Sequence, residues 1–263
     1  MKVTPNGIPI LELDEIGSTN VEAMRLGLAG ETAPLWVRAV QQTAGRGRSG
    51  RPWASDPGNL YASLLLRLEC APAVVHQLSF VSAVATVAAL RKVAGEGAWL
   101  RGLALKWPND ILVDGAKLVG ILPESTLLGR EGVLAVIGIG INLTSAPGDL
   151  GRATTHLAAL GTFVTVETML NALASAMDGA LAEWQEGTGF ATIRTRWLAD
   201  AWTPGVAMTV HIGAGLGQDV VRGTFVGLDD DGALILRDHS GYDRRMTFGD
   251  VTLDAAQGGE GNN

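Results

Sequence analysis

The segment at residues 45–53 constrains this chain most, because it separates two apolar runs with residues that favour neither a helix nor a packed strand. It reads Gly-Arg-Gly-Arg-Ser-Gly-Arg-Pro-Trp, with three glycines and three arginines in its first seven residues. Glycine loses much backbone entropy on folding and supplies no packing surface. The runs at 35–40 and 60–68 on either side are strand-like. The pattern predicts a loop between two strands that is mobile when empty.

The arginines of this loop indicate an anionic ligand. Each guanidinium presents a planar, permanently charged set of donors that suits a carboxylate or a phosphate. The loop differs from a P-loop, because it lacks a Gly-Lys-Ser/Thr ending and leads into Pro52 and Trp53 rather than into a helix. Two alternatives remain from these residues alone: an RNA-binding Arg-Gly segment and a solvated loop. The strand-like flanks argue against a tail.

Composition limits the class of ligand. The chain has 263 residues, a net charge of −7 and an isoelectric point near 5.1. An acidic protein is unsuited to duplex nucleic acid, whose phosphates require a basic face. The arginine loop is therefore a local positive site, which fits a small anionic ligand. The single cysteine, Cys70, allows no internal disulfide, and the four histidines lack the spacing of a zinc site.

The sequence predicts a cytoplasmic protein without a membrane span. Residues 1–5 lack the apolar core of a signal peptide. The longest apolar stretch, at residues 78–90, is interrupted by Ser and Thr and is too short to cross a bilayer.

Hydrophobic periodicity predicts a mixed α and β domain followed by a small all-β module. We expect a catalytic domain at 1–203, a β module of short strands at 204–254 and a disordered tail at 255–263. Thr19 and Glu22 fit a capping box that starts the first helix. Strands are predicted at 8–13, 35–40, 60–68, 103–106, 111–113, 117–123 and 133–143, and helices at 74–93, 155–160, 166–186 and 190–202.

Polar residues interrupt the apolar pattern at four places, and each admits two interpretations. Ser-Thr-Asn at 18–20 is a helix start whose polar groups could also line a pocket. Gln42 precedes the arginine loop, and Lys-Trp-Pro-Asn-Asp fills 106–110. Lys117 lies within an apolar strand, so its amine either extends to solvent or pairs with a ligand anion. Asn142 lies near the end of a predicted strand with alternate glycines, which suggest a close approach by a ligand or another backbone.

Four motifs in this order and spacing resemble the biotin–protein ligases. They are Gly-Arg-Gly-Arg-x-Gly-Arg-x-Trp, Lys-Trp-Pro-Asn-Asp, Lys-Leu-x-Gly-Ile-Leu and Gly-x-Gly-Ile-Asn, and together they fall within residues 10–145. The resemblance implies an α+β fold, with a central mixed β-sheet flanked by helices as in class II aminoacyl-tRNA synthetases. It also implies a small C-terminal SH3-like β-barrel.

The resemblance implies a two-step, ATP-dependent reaction. Biotin is activated as biotinyl-5′-AMP with Mg-ATP, and the biotinyl group passes to a lysine of a biotin carboxyl carrier protein. It implies a loop that closes over the intermediate, with glycines that give the ligand room. The residues that match the family's biotin site are Ser18, Thr19, Asn20, Gln42, Gly45, Arg46, Gly47, Arg48, Lys117, Gly120, Leu122 and Gly138.

Two cations carry the expected chemistry, because a carboxylate and a triphosphate repel each other until positive charge brings them together. Arg48 and Lys117 are the expected catalytic residues, and Asp110 is a candidate contact for Mg²⁺. The expected ATP-binding residues are Arg46, Arg48, Arg51, Trp53, Lys106, Asn109, Asp110, Lys117 and Asn142.

The resemblance leaves alternatives. A lipoate or octanoate protein ligase shares the fold and also forms acyl-adenylates, and an RNA-binding module comes from another class. Many family members carry an N-terminal winged helix that binds operator DNA. Here the Ser-Thr-Asn motif begins at residue 18, so we expect no DNA binding and no repressor function. The chain could form a homodimer.

Overall fold

The fold was examined in a computed structural model, which describes residues 2–129, 132–148, 152–213 and 219–253. The predicted tail at 255–263 lies outside these ranges. In chain order the elements are β1 (Lys2–Val3), β2 (Pro9–Ile16), α1 (Thr19–Leu28), β3 (Leu35–Gln42), β4 (Leu60–Leu68), α2 (Leu78–Ala94), β5 (Leu103–Lys106), β6 (Asp110–Val113), β7 (Ala116–Leu127), β8 (Val133–Ile141), α3 (Val166–Trp184), α4 (Phe190–Ala199), β9 (Ala207–Ile212), β10 (Asp219–Leu228), β11 (Leu234–Arg237), β12 (Asp243–Met246) and β13 (Asp250–Leu253).

An eight-stranded mixed sheet forms the centre of the larger part. Its order is β1-β2-β3-β4-β8-β7-β6-β5, and β2 runs parallel to β3 while the other pairs are antiparallel. Strand β4 is buried on both faces, because Leu64 joins the large core against α2, α3 and α4 while Leu65 joins a smaller core under α1. Burial on both faces explains its nearly continuous apolar sequence. The predicted mixed sheet flanked by helices is confirmed.

Helix α2 is a core helix. Twelve of its seventeen residues are buried, so it shows little amphipathic character. The stretch Pro72–Ala94 is long and apolar enough to cross a membrane by length and composition. However, 78% of its most apolar window is buried inside the structure, and core helices of soluble proteins also meet those two criteria.

The C-terminal part is a five-stranded antiparallel sheet of order β12-β11-β10-β9-β13, consistent with the predicted SH3-like module. Among the described residues β13 does not pair with β12, so the sheet is not closed into the predicted barrel. Strand β13 was not predicted, because four residues between Gly249 and the chain end give little periodic signal. The domain boundary at 203–204 remains a prediction.

The β module is held to the larger part by the turn between β10 and β11. Gly232, with φ of 93°, lies so close to the rings of Phe80 and Phe190 that a Cβ there would be 2.8 Å from Phe80. The indole of Trp107 donates to the carbonyl of Gly232 at 3.2 Å. The guanidinium of Arg194 donates to the carbonyl at the end of β10, at 3.0 Å from its Nε. The module therefore packs directly against the Lys-Trp-Pro-Asn-Asp motif.

Two local predictions are wrong. The helix expected at 155–160 is a series of turns over 157–161, because Leu157 and Ala158 donate their N–H groups to the end of β8 instead of to a helix of their own. The capping box is also absent. Thr19 donates to Gln42 while the carboxylate of Glu22 pairs with Arg25, so neither side chain caps α1.

Candidate active site

A pocket opens where the arginine loop, the start of α1, strands β7 and β8 and the β module meet. It brings together most of the residues predicted from the motifs. Its lining consists of Ser18, Thr19, Asn20, Gln42, Arg46, Gly47, Arg48, Arg51, Pro52, Trp53, Tyr61, Asn109, Asp110, Lys117, Gly120, Ile121, Leu122, Gly138, Ile139, Gly140, Arg152 and Asp250.

Three predicted residues lie beside this lining rather than in it. Gly45 supports the loop from behind, because a Cβ there would lie 2.5 Å from the carbonyl of Trp53. Lys106 stands 3.9 Å from the carboxylate of Asp110. Asn142 lines an adjoining cavity, which it shares with Trp53 and Lys117.

One wall of the pocket is an ordered set of hydroxyl and amide groups. The backbone N–H and the hydroxyl of Thr19 donate to Gln42 Oε1 at 2.9 and 3.1 Å. Ser63 Oγ lies 2.8 Å from Thr19 Oγ1 and 2.6 Å from Asn20 Oδ1. Asn20 in turn donates to the carbonyl of Leu122 at 3.0 Å. Because these groups already hold one another, the wall presents fixed donors and acceptors to a neutral polar ligand.

Lys117 and Asp110 form a buried ion pair at the base of the pocket. They are 8% and 7% exposed, and Lys117 Nζ lies 2.5 Å from Asp110 Oδ1. The ammonium also lies 5.2 Å from the centre of the Trp53 ring. Burial lowers the pKa of Lys117, and the nearby Asp110 carboxylate opposes that shift. The sequence left open whether this lysine reaches solvent or pairs with an anion, and the structure pairs it with Asp110.

The arginine loop is tied to neighbouring carboxylates and to the β module. Arg46 Nη2 lies 3.6 Å from Glu124, and Arg51 Nη2 lies 2.5 Å from Asp250. Arg48 donates to the carbonyl of Gly249 at 3.1 Å, and burial lowers the pKa of its guanidinium. Burial raises the pKa of Asp250, but Lys106 and Arg51 outweigh burial and hold it below its ordinary value. The loop thus concentrates positive charge, and this charge is balanced by Glu124 on β7 and by Asp250 on the β module.

A flat slot in the sheet receives the ring of Trp53. Gly120 and Gly140 are direct partners on β7 and β8. A Cβ on either glycine would lie 2.6 Å from the indole of Trp53, and the buried Trp53 Nε1 has no hydrogen-bond partner. A Cβ on Gly138 would collide with Asn20 Oδ1. The glycines of β7 and β8 therefore leave space for the side chains of Trp53 and Asn20, and the expectation that they also give the ligand room stays a prediction.

Replacing Gly140 with alanine is expected to push Trp53 out of this slot. Overpacking of this kind costs about 1–3 kcal/mol, so for the reaction of biotin with ATP that the motifs imply we expect the KM for ATP to rise about tenfold while the fold persists. Steady-state kinetics at saturating biotin and the fluorescence of the tryptophans measure the effect. Gly179→Ala is the matched control, because a Cβ there meets open space on α3. An unchanged KM in Gly140→Ala contradicts the role of the slot.

The adjoining cavity extends from Trp53 toward the loop that follows β8. Its lining combines the loop residues Pro147, Arg152 and Thr154 with Trp53 and Lys117. Arg152 is exposed, and its charge contributes to the lowered pKa of Lys117. The aromatic ring, the two cations and the narrow cleft suit a ligand that carries both an aromatic ring and a phosphate ester.

Comparisons with known proteins identify the family. Residues 16–142 match the biotin/lipoate A/B protein ligase family, and residues 210–254 match the biotin protein ligase C-terminal domain. The biotin–[acetyl-CoA-carboxylase] ligase of Paracoccus denitrificans is 43% identical over 237 residues, which are 85% of this chain and 92% of that one. This chain belongs to the biotin protein ligase family. The bifunctional ligase/repressor BirA of Bacillus subtilis is 30% identical, with 96% of this chain and 76% of that protein covered.

Solved biotin protein ligases share this fold. The enzyme of Aquifex aeolicus in complex with biotin and ATP has a TM-score of 0.75 and 25% identity, covering 94% of this chain and 99% of that one. The enzyme of Leishmania major in complex with biotinyl-5-AMP has a TM-score of 0.62 and 27% identity, covering 91% and 99%. The expected family and fold are therefore confirmed, and the named ligands are those of related proteins.

Sequence reasoning assigned no role to three polar residues of this biotin protein ligase's pocket. Tyr61 lies in an apolar strand and gave no signal of its own. Arg152 follows the polar loop after Asn142, which could have suggested it. Asp250 lies about two hundred residues after its partner Arg51, and no local pattern connects them.

Proposed function

We propose that this biotin protein ligase condenses biotin with ATP and transfers the biotinyl group to a lysine of a biotin carboxyl carrier protein. In the first step a biotin carboxylate oxygen bonds to the α-phosphorus of ATP, and the bond to pyrophosphate breaks. In the second step the acceptor amine attacks the acyl carbon, loses a proton and displaces AMP. The observation that carries the proposal is the buried Lys117 ammonium between an amide-rich wall and an arginine loop.

The amide and hydroxyl wall fits the neutral end of biotin. A ureido ring offers two N–H donors and one carbonyl acceptor, and Thr19, Asn20 and Gln42 offer matching hydroxyl and amide groups. We assign Ser18, Gly120, Leu122 and Gly138 to the same ligand through its ring and apolar tail. This assignment is supported by the position of the four residues around the wall, and by the apolar side chains of β7 and β8 that continue the wall.

The cations fit the anionic end of the reaction. Arg48 and Lys117 face the same pocket, where their removal from bulk water strengthens their attraction for a carboxylate and an α-phosphate. Negative charge grows on the transferred phosphoryl oxygens in the transition state, and fixed positive groups lower that barrier. Asp110 keeps the ammonium charged and in place before the substrates arrive.

The nucleotide fits the side of the pocket that holds Trp53. Its indole offers a face for the adenine, and Arg152 joins the residues predicted from the sequence. Asn109 donates to the carbonyl of Ile121 at 2.5 Å, so its amide is held at the start of β6 beside the pocket. The assigned set for ATP is Arg46, Arg48, Arg51, Trp53, Lys106, Asn109, Asp110, Lys117 and Asn142, and Gly45 and Gly47 remain assigned to biotin.

Magnesium enters this scheme as part of the Mg-ATP substrate. Among the described residues no group of three His, Cys, Asp or Glu side chains is placed to hold a metal. Asp110, the residue predicted to contact Mg²⁺, is engaged with Lys117 and Lys106. Phosphate oxygens and water supply most ligands of such an ion.

Isotope exchange between pyrophosphate and ATP tests the function. We expect exchange that depends on biotin, because the first step is reversible and needs the acid. The alternative is a lipoate or octanoate protein ligase, and exchange that depends on lipoate or octanoate but not on biotin would establish it. Thermal-shift titration with biotin and with lipoate gives an independent comparison.

The cellular setting follows from the proposed acceptor. Biotin carboxyl carrier proteins and ATP are found in the cytoplasm, where we place this enzyme. The net charge of −7 gives no support to a duplex DNA partner. A homodimer is compatible with the fold and is tested by light scattering.

A further inference from the structure

A buried asparagine outside the family motifs holds the loop beside the nucleotide cavity. Asn59 follows the Asp-Pro-Gly turn at the start of β4 and is 4% exposed. Its side-chain oxygen accepts hydrogen bonds from three successive backbone N–H groups, those of Leu143 at 2.7 Å, Thr144 at 3.0 Å and Ser145 at 3.4 Å. One amide oxygen thereby fixes the first three residues of the loop.

The amide nitrogen of Asn59 ties the same loop a second time. It donates to the carbonyl of Ser145 at 3.1 Å and lies 3.2 Å from the hydroxyl of Tyr61. Tyr61 lines the catalytic pocket and donates to the carbonyl of Asp56 at 2.9 Å. Burial raises the pKa of Tyr61 to about 12, so its hydroxyl stays a donor near neutral pH.

The loop that Asn59 holds carries the nucleotide side of the site. Asn142 directly precedes it, and Pro147 and Thr154 line the cavity beside Trp53. Its far end is fixed separately, because the N–H of Lys117 donates to Ala153 at 2.9 Å. Without Asn59 the near end would lose its hydrogen-bond acceptor while the far end stayed attached to β7.

We propose that Asn59 is a positioning residue for ATP, which acts by holding residues 143–145 so that the cavity wall that follows them at Pro147 keeps its place. The inference rests on the proposed function, and it adds that Asn59 supports the binding of ATP but not the binding of biotin. Biotin contacts the opposite wall, which Thr19, Ser63 and Gln42 maintain without any bond to Asn59. Removing Asn59 therefore affects ATP and leaves biotin binding unchanged.

Asn59→Ala tests this selectivity. We expect the KM for ATP to rise about tenfold, because several backbone donors lose their partner, while the Kd for biotin measured by calorimetry stays within twofold. Asn59→Asp retains the oxygen that accepts the three N–H groups, so it is expected to recover part of the lost ATP affinity. It also serves as the test variant if Asn59→Ala fails to fold.

The outcomes separate the two proposals. If the wild-type enzyme shows no biotin-dependent pyrophosphate exchange, the proposed function fails. If it shows that exchange and Asn59→Ala has an unchanged KM for ATP, the positioning role fails. A rise in the biotin Kd equal to the rise in the ATP KM also overturns the role, because it marks general loss of structure.

Discussion

Lys117→Ala is expected to slow biotin-dependent pyrophosphate–ATP exchange by about 10²-fold or more, the usual loss for one donor that stabilises developing charge. The ammonium is buried and faces both the amide wall and the arginine loop. Its removal also leaves Asp110 as a buried carboxylate without its nearest cation, and this negative charge repels both substrates. Exchange measured at saturating biotin and ATP separates this effect from weaker binding.

Two companion variants isolate the contribution of charge. Lys117→Ala combined with Asp110→Asn removes the unpaired carboxylate, so it is expected to be more active than Lys117→Ala alone. Lys117→Arg keeps the positive charge and changes the shape of the group that carries it, from an ammonium to a planar guanidinium. A rate for Lys117→Ala near that of the wild type would remove this residue from the mechanism.

The buried lysine also predicts a pH dependence. The pKa of Lys117 is lowered from its ordinary 10.5, mainly by burial. The active form is the protonated cation, which is present below the pKa and is lost as the pH rises through it. The kcat/KM for ATP is therefore expected to fall on the alkaline side at a pH below 10.5, and Lys117→Arg should abolish this fall. An unchanged profile in Lys117→Arg assigns the titration to another group.

Arg48→Gly is expected to release biotinyl-5′-AMP about tenfold faster, since losing one charge-assisted hydrogen bond removes about 1.5 kcal/mol. Arg48 faces the pocket and also donates to Gly249 on the β module. Its loss removes a cation from the intermediate and one tether from the loop that excludes water. The released adenylate would acylate lysines of unrelated proteins, and the hydrolysis of ATP without acceptor would rise.

The release rate is measured by rapid filtration of the enzyme loaded with labelled biotin and ATP. Arg101→Gly is the matched control, because this arginine is exposed on a short helical turn away from the pocket. Equal release from Arg48→Gly and from the wild type would contradict the sealing role. Slower formation of the adenylate with unchanged release would restrict Arg48 to the first step.

The four motifs, in their order and spacing, predicted the family and most of the pocket. Each group of polar residues adjoins a predicted strand, and the apolar pattern of that strand indicates which way the polar side chains point. Lys117 is an example. Its neighbours Leu118 and Val119 are buried in the sheet, and the sequence allowed its amine either to extend to solvent or to pair with a ligand anion. The sequence could not identify Asp110 as its partner, since the pairing depends on the register of β6 against β7.

Other parts of the site depend on contacts between distant segments. The sequence Asp-Pro-Gly-Asn at 56–59 is typical of a turn, and the bonds of Asn59 to 143–145 arise only when β4 lies beside β8. The turns at 157–161 have a helical pattern of alanine and leucine, yet the N–H groups of Leu157 and Ala158 bond to Asn142 and Leu143. The intrinsic propensity of these residues for a helix is weak compared with such tertiary hydrogen bonds.

The contact of Arg48 with Gly249 and of Arg51 with Asp250 has a consequence for how the enzyme is made. During synthesis the arginines leave the ribosome early, and the two residues that secure them are among the last of the described chain to emerge. The arginine loop therefore gains these two contacts only after the strands of the β module have been synthesised and have packed against the larger part.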